Sequence, residues 1–325
     1  DEVAVMDIDT LKVAKGKMAD ALRYRVYLRS EQPQVTPQVT LLAAAVNAKS
    51  TERNEFIERK DAMLEAPACA RRHRDPSRAR QICSPVSVVM VLNYHGVDVL
   101  PEEVAWRVRD YSQDQFPFGN WSFNCAAAAA FGLKAYVAYE SSLAALRETL
   151  QQTGPVIASV MYKNSEAVPA ELPVLHGAPV EATDGHLVVV RGMVRQDGKD
   201  YIVVNDPAGD GDSVRRLYAA AEFEKAWTHY LYVITKEKNA ALRQPQRIPA
   251  RFMQTTAKTV LLQGEGGERI ALELQNIGSI VQRKNHVTIG FLQPETLGAL
   301  LLKPEKDDEW LLVTKQQQTF CVTGA

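Results

Sequence analysis

Cysteine is scarce in this sequence: four in 325 residues, Cys69, Cys83, Cys125 and Cys321, with no CxxC pair among them. Histidine is scarce too, at six. Such sparse usage argues against a disulfide scaffold and leaves no zinc-type ligand spacing, so neither a metal nor another cofactor is expected. Missing as well is any apolar run near the roughly 18 residues that a membrane-crossing helix needs. Neither sign of charge dominates, with 38 basic against 39 acidic residues and a net charge of −1. A chain so balanced carries no overall field toward nucleic acid or an anionic membrane. An initiator Met is also absent, the chain opening on Asp1. That fits removal of a secretory leader, and an extracytoplasmic compartment, secreted or periplasmic, is the expectation.

What is present is an ordinary globular balance, 46% hydrophobic and 24% charged, in a length that suggests about two domains. Residues 1–65 read as a β-rich region, with strand-like pieces LRYRVYLRS at 22–30 and VTLLAAAVNA at 39–48. The polar, proline-punctuated stretch 61–80 reads as a linker, and its basic run RRHRDPSRAR at 71–80 as a solvated loop. From 66 to 238 helical periods come first, at 84–96, 101–111, 124–132 and 141–154. Strand periods follow at 155–162, 186–194 and 200–208, the last two joined by the turn QDGKD. A late helix at 219–229 leads into a strand at 230–235. Helices first and antiparallel strands second make an α+β domain. Residues 239–325 read as all-β and, with the N-terminal strands, would close one discontinuous β-sandwich.

The segment RQICSPVSVVMVLNYHG, residues 80–96, places Cys83 just ahead of an apolar helix that Ser84 caps and Gly96 closes. Unpaired amides and the positive end of the helix dipole favour a thiolate there. A cysteine merely packed at a helix end fits the same pattern.

A thiol nucleophile needs a base within hydrogen-bond reach and a third group to hold that base. His186 opens one strand of the hairpin and Asp206 closes the other. With the turn at 196–200, residue 190 pairs near 203 and 187 near 206, which makes His186 and Asp206 neighbours. Asn205 then faces the other way. Taken singly, a structural His and an ordinary NDPA turn would explain these residues; together with a helix-start cysteine they form a papain-like order of parts.

RQICSPVSVVMVLNYHG, GNWSFNCAAAAAFGLKAYV, GHLVVVRGMV and VVNDPA resemble, in order over about residues 80–235, the C39-like cysteine peptidases of the papain-like superfamily. The resemblance implies a papain-like peptidase domain, a helical half followed by an antiparallel sheet, with flanking β-rich segments. It implies Cys83 as nucleophile, His186 as general base and acid and Asp206 as the orienting residue. Peptide or isopeptide bonds would be cleaved through a thioacyl intermediate, with a peptide or protein as substrate. The family's oxyanion-hole Gln usually stands several residues before the Cys, but Ser77 occupies the sixth position upstream; Gln81 is the nearest candidate.

Trp121 is a candidate wall of the substrate cleft, against the alternative of a core aromatic. Asn124 is a candidate cap for its helix, Cys125 reads as buried packing, and His95 as a helix-end contact. The loop at 163–185, with His176, could cover the site. Two other functions fit the same residues: an acyl or amide transferase, in which an amine resolves the thioester, and a non-catalytic peptide-binding module.

Overall fold

The computed structural model describes residues 3–47, 62–74, 78–284, 287–291 and 309–323. In chain order, β1 (Ala4–Asp7) and β2 (Thr10–Val13) form a hairpin, and β3 is the short strand Ala62–Met63. Next come α1 (Cys83–Tyr94), α2 (Pro101–Val108), α3 (Trp121–Ala130), β4 (Lys134–Tyr139) and α4 (Leu143–Thr153). Then follow β5 (Val156–Lys163), β6 (Ala182–Gln196), β7 (Lys199–Asn205), β8 (Arg215–Ala219), α5 (Ala220–Ala226) and β9 (Trp227–Thr235). The remainder is all strand: β10 (Arg247–Thr255), β11 (Thr259–Gly264), β12 (Arg269–Glu273), β13 (Ile277–Lys284), β14 (Val287–Phe291), β15 (Glu309–Thr314) and β16 (Thr319–Thr323). No helix of the described residues is long and apolar enough to cross a membrane.

The central sheet runs β4-β9-β5-β6-β7-β8, antiparallel throughout, with β3 added on β6. Its inner strands β9, β5 and β6 are buried on both faces along their middles, and alternate residues part company. Ile157, Leu187, Val189, Tyr232 and Ile234 face the layer of α1, α2 and α3. Ala158, Val188, Val190, Leu231 and Val233 face α4 and α5. The fold is therefore α+β, a helical half packed on an antiparallel sheet, as the order of periods predicts.

The β6–β7 turn is the two-residue loop Asp197-Gly198, both with positive φ, as a tight hairpin requires. Register differs from the expectation by one residue: Val190 pairs with Val204 and Val189 with Asn205, because a bulge at Arg191 interrupts the ladder.

Two sequence readings fail in the N-terminal region. The strands expected at 22–30 and 39–48 do not form: residues 14–47 carry no helix or strand, and residue 48 lies outside the described residues. Alternation alone cannot make a strand; Tyr24 and Leu28 are more than half exposed, with no neighbouring ladder to take their backbone groups. Among the described residues the N-terminal strands do not join the C-terminal sheet. The C-terminal sheet, β12-β11-β10-β16-β15-β13-β14, draws every strand from 247–323, whereas β1 and β2 pair only with each other.

The stretch expected as a free linker is instead strapped to the central sheet. Leu64 N–H donates to Arg191 O (2.8 Å), Asn205 Nδ2 donates to Ala66 O (3.0 Å) and Arg71 N–H to Pro207 O (2.8 Å). Within the basic run Arg74 is buried against Glu102 at 3.6 Å, so part of that run belongs to the interior.

The C-terminal sheet packs its own core on one face, around Phe252, Leu262, Trp310, Leu312 and Phe320. Its other face offers Val281 and Leu311 to Leu100, at the start of α2. Trp106 Nε1 donates to Ser279 Oγ (2.7 Å), and Arg247 reaches Glu103 (3.0 Å) and Asp98 (3.2 Å). Gly278 is the tightest point of this seam: a Cβ there would lie 2.2 Å from the Trp106 ring. We expect Gly278→Ala to cost about 1–3 kcal/mol in urea unfolding through overpacking. An unchanged midpoint would mean that the sheet is not seated on Trp106.

Candidate active site

α1 is apolar almost all round, and nine of its twelve residues are buried, because it lies between α2, α3 and the sheet. Cys83 is its first residue, with Ile82 at the cap position. Ser84 is thus inside the first turn and does not cap; its Oγ lies 3.1 Å from the Tyr232 hydroxyl on β9. One turn further, Ser87 Oγ donates to Leu187 O on β6 (3.1 Å). These two polar contacts fix how α1 lies on the sheet, and they set the half-buried Cys83 beside His186.

His186 is 3% exposed and Asp206 fully buried. Nε2 of His186 donates to Asp206 Oδ1 at 2.7 Å. The same Oδ1 accepts from Ala208 N–H (2.9 Å), and Oδ2 accepts from the Tyr218 hydroxyl (2.8 Å). Cys83 interacts with the His186 ring, and with Nε2 committed to Asp206 the nitrogen left for the sulfur is Nδ1. The three residues read from the sequence thus meet, in the order thiol, imidazole, carboxylate. Asn205 faces away, as expected, and holds the strap at Ala66 and Pro67.

The charges follow from this geometry. Burial opposes a Cys83 thiolate, but the hydrogen bond and charge of the His186 ring, with the Arg71 guanidinium, outweigh it and hold the thiol below its ordinary value. Burial likewise opposes a charged His186, yet the Asp206 carboxylate and then Cys83 raise the ring to about 9. Asp206 sits below the usual carboxylate range: burial pushes it up, and His186, the Ala208 amide and the Tyr218 hydroxyl pull it further down. Each shift leans the same way, toward charge on the thiol, the imidazole and the carboxylate together.

The other candidates fall in different places. Gln81 Nε2 donates to Gln115 O (3.2 Å) and its Oε1 accepts from Arg78 (3.1 Å), so its side chain leans on the loop between α2 and α3. Ser77 lies outside the described residues. Trp121 is half-buried, packed on Tyr230 and Tyr232 with ring centres 5.5 and 6.0 Å away. Tyr232 touches Ser84, so Trp121 stands one ring away from the residue after Cys83. Its backbone N–H donates to the Asp9 carboxylate at the tip of the N-terminal hairpin.

Asn124 is not the cap of α3. Asn120 is, accepting from Phe123 N–H (3.1 Å), while Asn124 is buried and donates to Phe118 O (3.0 Å). Cys125 is buried, and desolvation pushes its thiol up to about 12, far from reactive. His95 bonds to Ile234 O (3.0 Å). The 164–181 loop is tied down where His176 meets Glu222 (2.8 Å). Sequence reasoning missed Tyr218, the Ala208 amide and Arg71. For Tyr218 the signal was faint: a polar tip in a short edge strand that the helical reading of 219–229 overshadowed.

Residues 63–234, more than half of the chain, match the Peptidase_C39 like family. No curated protein matches the chain. Among solved structures it is similar to a double glycine motif protease from the AMS/PCAT transporter, crystallised with the leader peptide (19% identity, 54% of this chain, 95% of that one, TM-score 0.34). It is also similar to the peptidase domain of Streptococcus ComA, a bi-functional ABC transporter (14%, 49%, 93%, TM-score 0.35). A third likeness is to procathepsin B from Trypanosoma congolense (13%, 51%, 72%, TM-score 0.37).

In an NMR titration of ring-labelled histidines, one signal, missing from His186→Ala, should titrate near 9. Asp206→Asn should lower it by at least about one unit, since the carboxylate charge is what raises it. A His186 signal titrating at the free value of about 6.5 would show that the ring has no charged partner.

Proposed function

The chain belongs to the Peptidase_C39 like family, and from that premise we propose that it hydrolyses peptide bonds with Cys83 as nucleophile, His186 as base and acid, and Asp206 as the group that orients the imidazole. The observation that carries this reading is the Cys83 thiol set against the His186 ring, whose Nε2 is hydrogen-bonded to the buried Asp206.

The Cys83 sulfur, already charged, adds to the scissile carbonyl carbon and drives its electron pair onto oxygen. The Cys83 backbone N–H, at the first position of α1, has no partner within its own helix and is one donor to that oxygen. The second N–H of the Gln81 amide is the other; losing one such donor typically costs about 10²–10³ in rate. Collapse of the adduct breaks the C–N bond. His186 gives its proton to the leaving amine, and the acyl group stays on sulfur as a thioester. A water then gives a proton to the neutral His186 and attacks the thioester carbon, which releases the acid and restores the thiolate–imidazolium pair. Asp206 never takes the proton; it holds the ring and supports its charge. Were an amine to arrive instead of water, the same thioester would end as an amide, so transfer shares every step but the last.

Iodoacetamide should modify Cys83 ahead of Cys69, Cys125 and Cys321 below pH 7, and His186→Ala should abolish that preference. Peptide cleavage should follow a bell-shaped pH profile whose alkaline limb falls near 9, the apparent value of the coupled pair. Cys83→Ser should remove cleavage while leaving the urea midpoint within about 0.5 kcal/mol of the parent. Four thiols reacting alike, each with a midpoint near 8.5, would leave a binding module as the better account.

A further inference from the structure

Beside the site stands one guanidinium, that of Arg71, whose charge reaches the Cys83 sulfur. Arg71 donates its backbone N–H to Pro207 O (2.8 Å), in the turn that carries Asp206. Its Nη1 donates to Arg80 O (3.5 Å), three residues ahead of Cys83. This one residue therefore ties the acid end of the site, through its backbone, to the segment leading into α1, through its side chain. Only one of its five guanidinium N–H groups is used in that bond, which leaves four to offer. Its charge is felt by both the Cys83 sulfur and the Tyr162 phenol, the ring standing edge-on to His186.

The described carboxylates around it are engaged elsewhere. Glu65 is shared between Arg191 (3.7 Å) and Arg215 (3.6 Å), and Glu102 is buried with Arg74. Among the described residues no carboxylate pairs with Arg71, Arg78 or Arg80. Which half of a substrate would meet this charge follows from the chemistry. His186 must hand its proton to the leaving amine, so the leaving segment lies along the His186–Asp206 wall, and Arg71 is anchored to that wall through Pro207.

We propose that Arg71 is the specificity residue of the leaving-group side, reading a carboxylate just beyond the scissile bond: an acidic side chain or a free C-terminus. This inference rests on the peptidase reading of the same site and names its substrate class. A guanidinium suits the task because its planar fork can meet both oxygens of one carboxylate.

The test measures two things on the full chain. Iodoacetate and iodoacetamide are nearly the same size but differ in charge, so the ratio of their rates at Cys83 reports an anion subsite without any need for peptide cleavage. That ratio should fall about three- to tenfold in Arg71→Ala, in Arg71→Lys by less, and in the parent on raising salt from 50 to 500 mM. Any loss of thiolate in the variant slows both reagents together and leaves the ratio untouched. Mapping cut sites in a peptide library then gives the second readout. The parent should favour Asp or Glu in the first positions after the cut, or cuts close to a free C-terminus over C-terminally amidated copies, and Arg71→Glu should reverse the preference toward Lys and Arg. Whichever arm responds identifies the source of the carboxylate. A reagent ratio unmoved by Arg71→Ala, or cuts indifferent to acidity in the parent, overturns the proposal. A ratio that falls with no peptide cut would sustain the anion subsite and remove the peptidase reading instead.

Discussion

A carboxylate with no exposure to water is the constraint around which this molecule is arranged. Left alone, an ionised Asp206 would carry a desolvation penalty of several kcal/mol or more, and it would take up a proton rather than bear it. Three donors prevent that: His186 Nε2 at 2.7 Å, Tyr218 at 2.8 Å and the Ala208 amide at 2.9 Å. The last two are neutral, so they satisfy the oxygens without cancelling the charge. What charge remains acts on the imidazole, raises its basicity, and through it lowers the Cys83 thiol in a place where burial alone would raise it. Remove the ionised acid and each successive group in the line reverts toward its ordinary behaviour.

Much of the remaining architecture holds that line at its two ends. The thiol end is fixed by α1, whose apolar surface is enclosed and whose Ser84 and Ser87 pin it to β9 and β6. The acid end is fixed by the β6–β7 hairpin and by the strap at 62–71, which crosses the sheet and meets Pro207. The C-terminal sheet stands further off. It grips α2 through Trp106, Leu100 and Glu103, and α2 packs against α1, so its seat lies one helix away from the nucleophile.

The peptidase region was largely legible because its signals are local. Tight-turn residues Asp197 and Gly198 announce a hairpin, and hairpin arithmetic brings His186 to Asp206 even though the Arg191 bulge displaces the register by one. A two-residue reach across a sheet tolerates such a slip. Cys83 at a helix start was likewise written in Ser-Pro and the apolar period that follows. What failed were judgements needing a distant partner. Residues 22–30 alternate like a strand but have no ladder to join, and Arg74 looks solvated until Glu102, far along the chain, is folded onto it. Tyr218 belongs to the same class: nothing in its own neighbourhood says that its hydroxyl ends on Asp206. Gln81 is different: proximity in sequence points to it, and with Arg78 and Gln115 on its amide one N–H is left over.

The central sheet is a septum between two apolar compartments, one filled by α1, α2 and α3, the other by α4 and α5. Cys83 and Asp206 are held from opposite sides of it, since Tyr218 is rooted among the residues of the rear compartment while α1, which Cys83 begins, packs in the front. The reactive line is thus a suture through a wall. Changes to the rear layer, in Phe223 or Leu146 for instance, touch no substrate and yet bear on the tension of that suture. Tolerance to substitution there will be governed by acid–base chemistry as much as by packing.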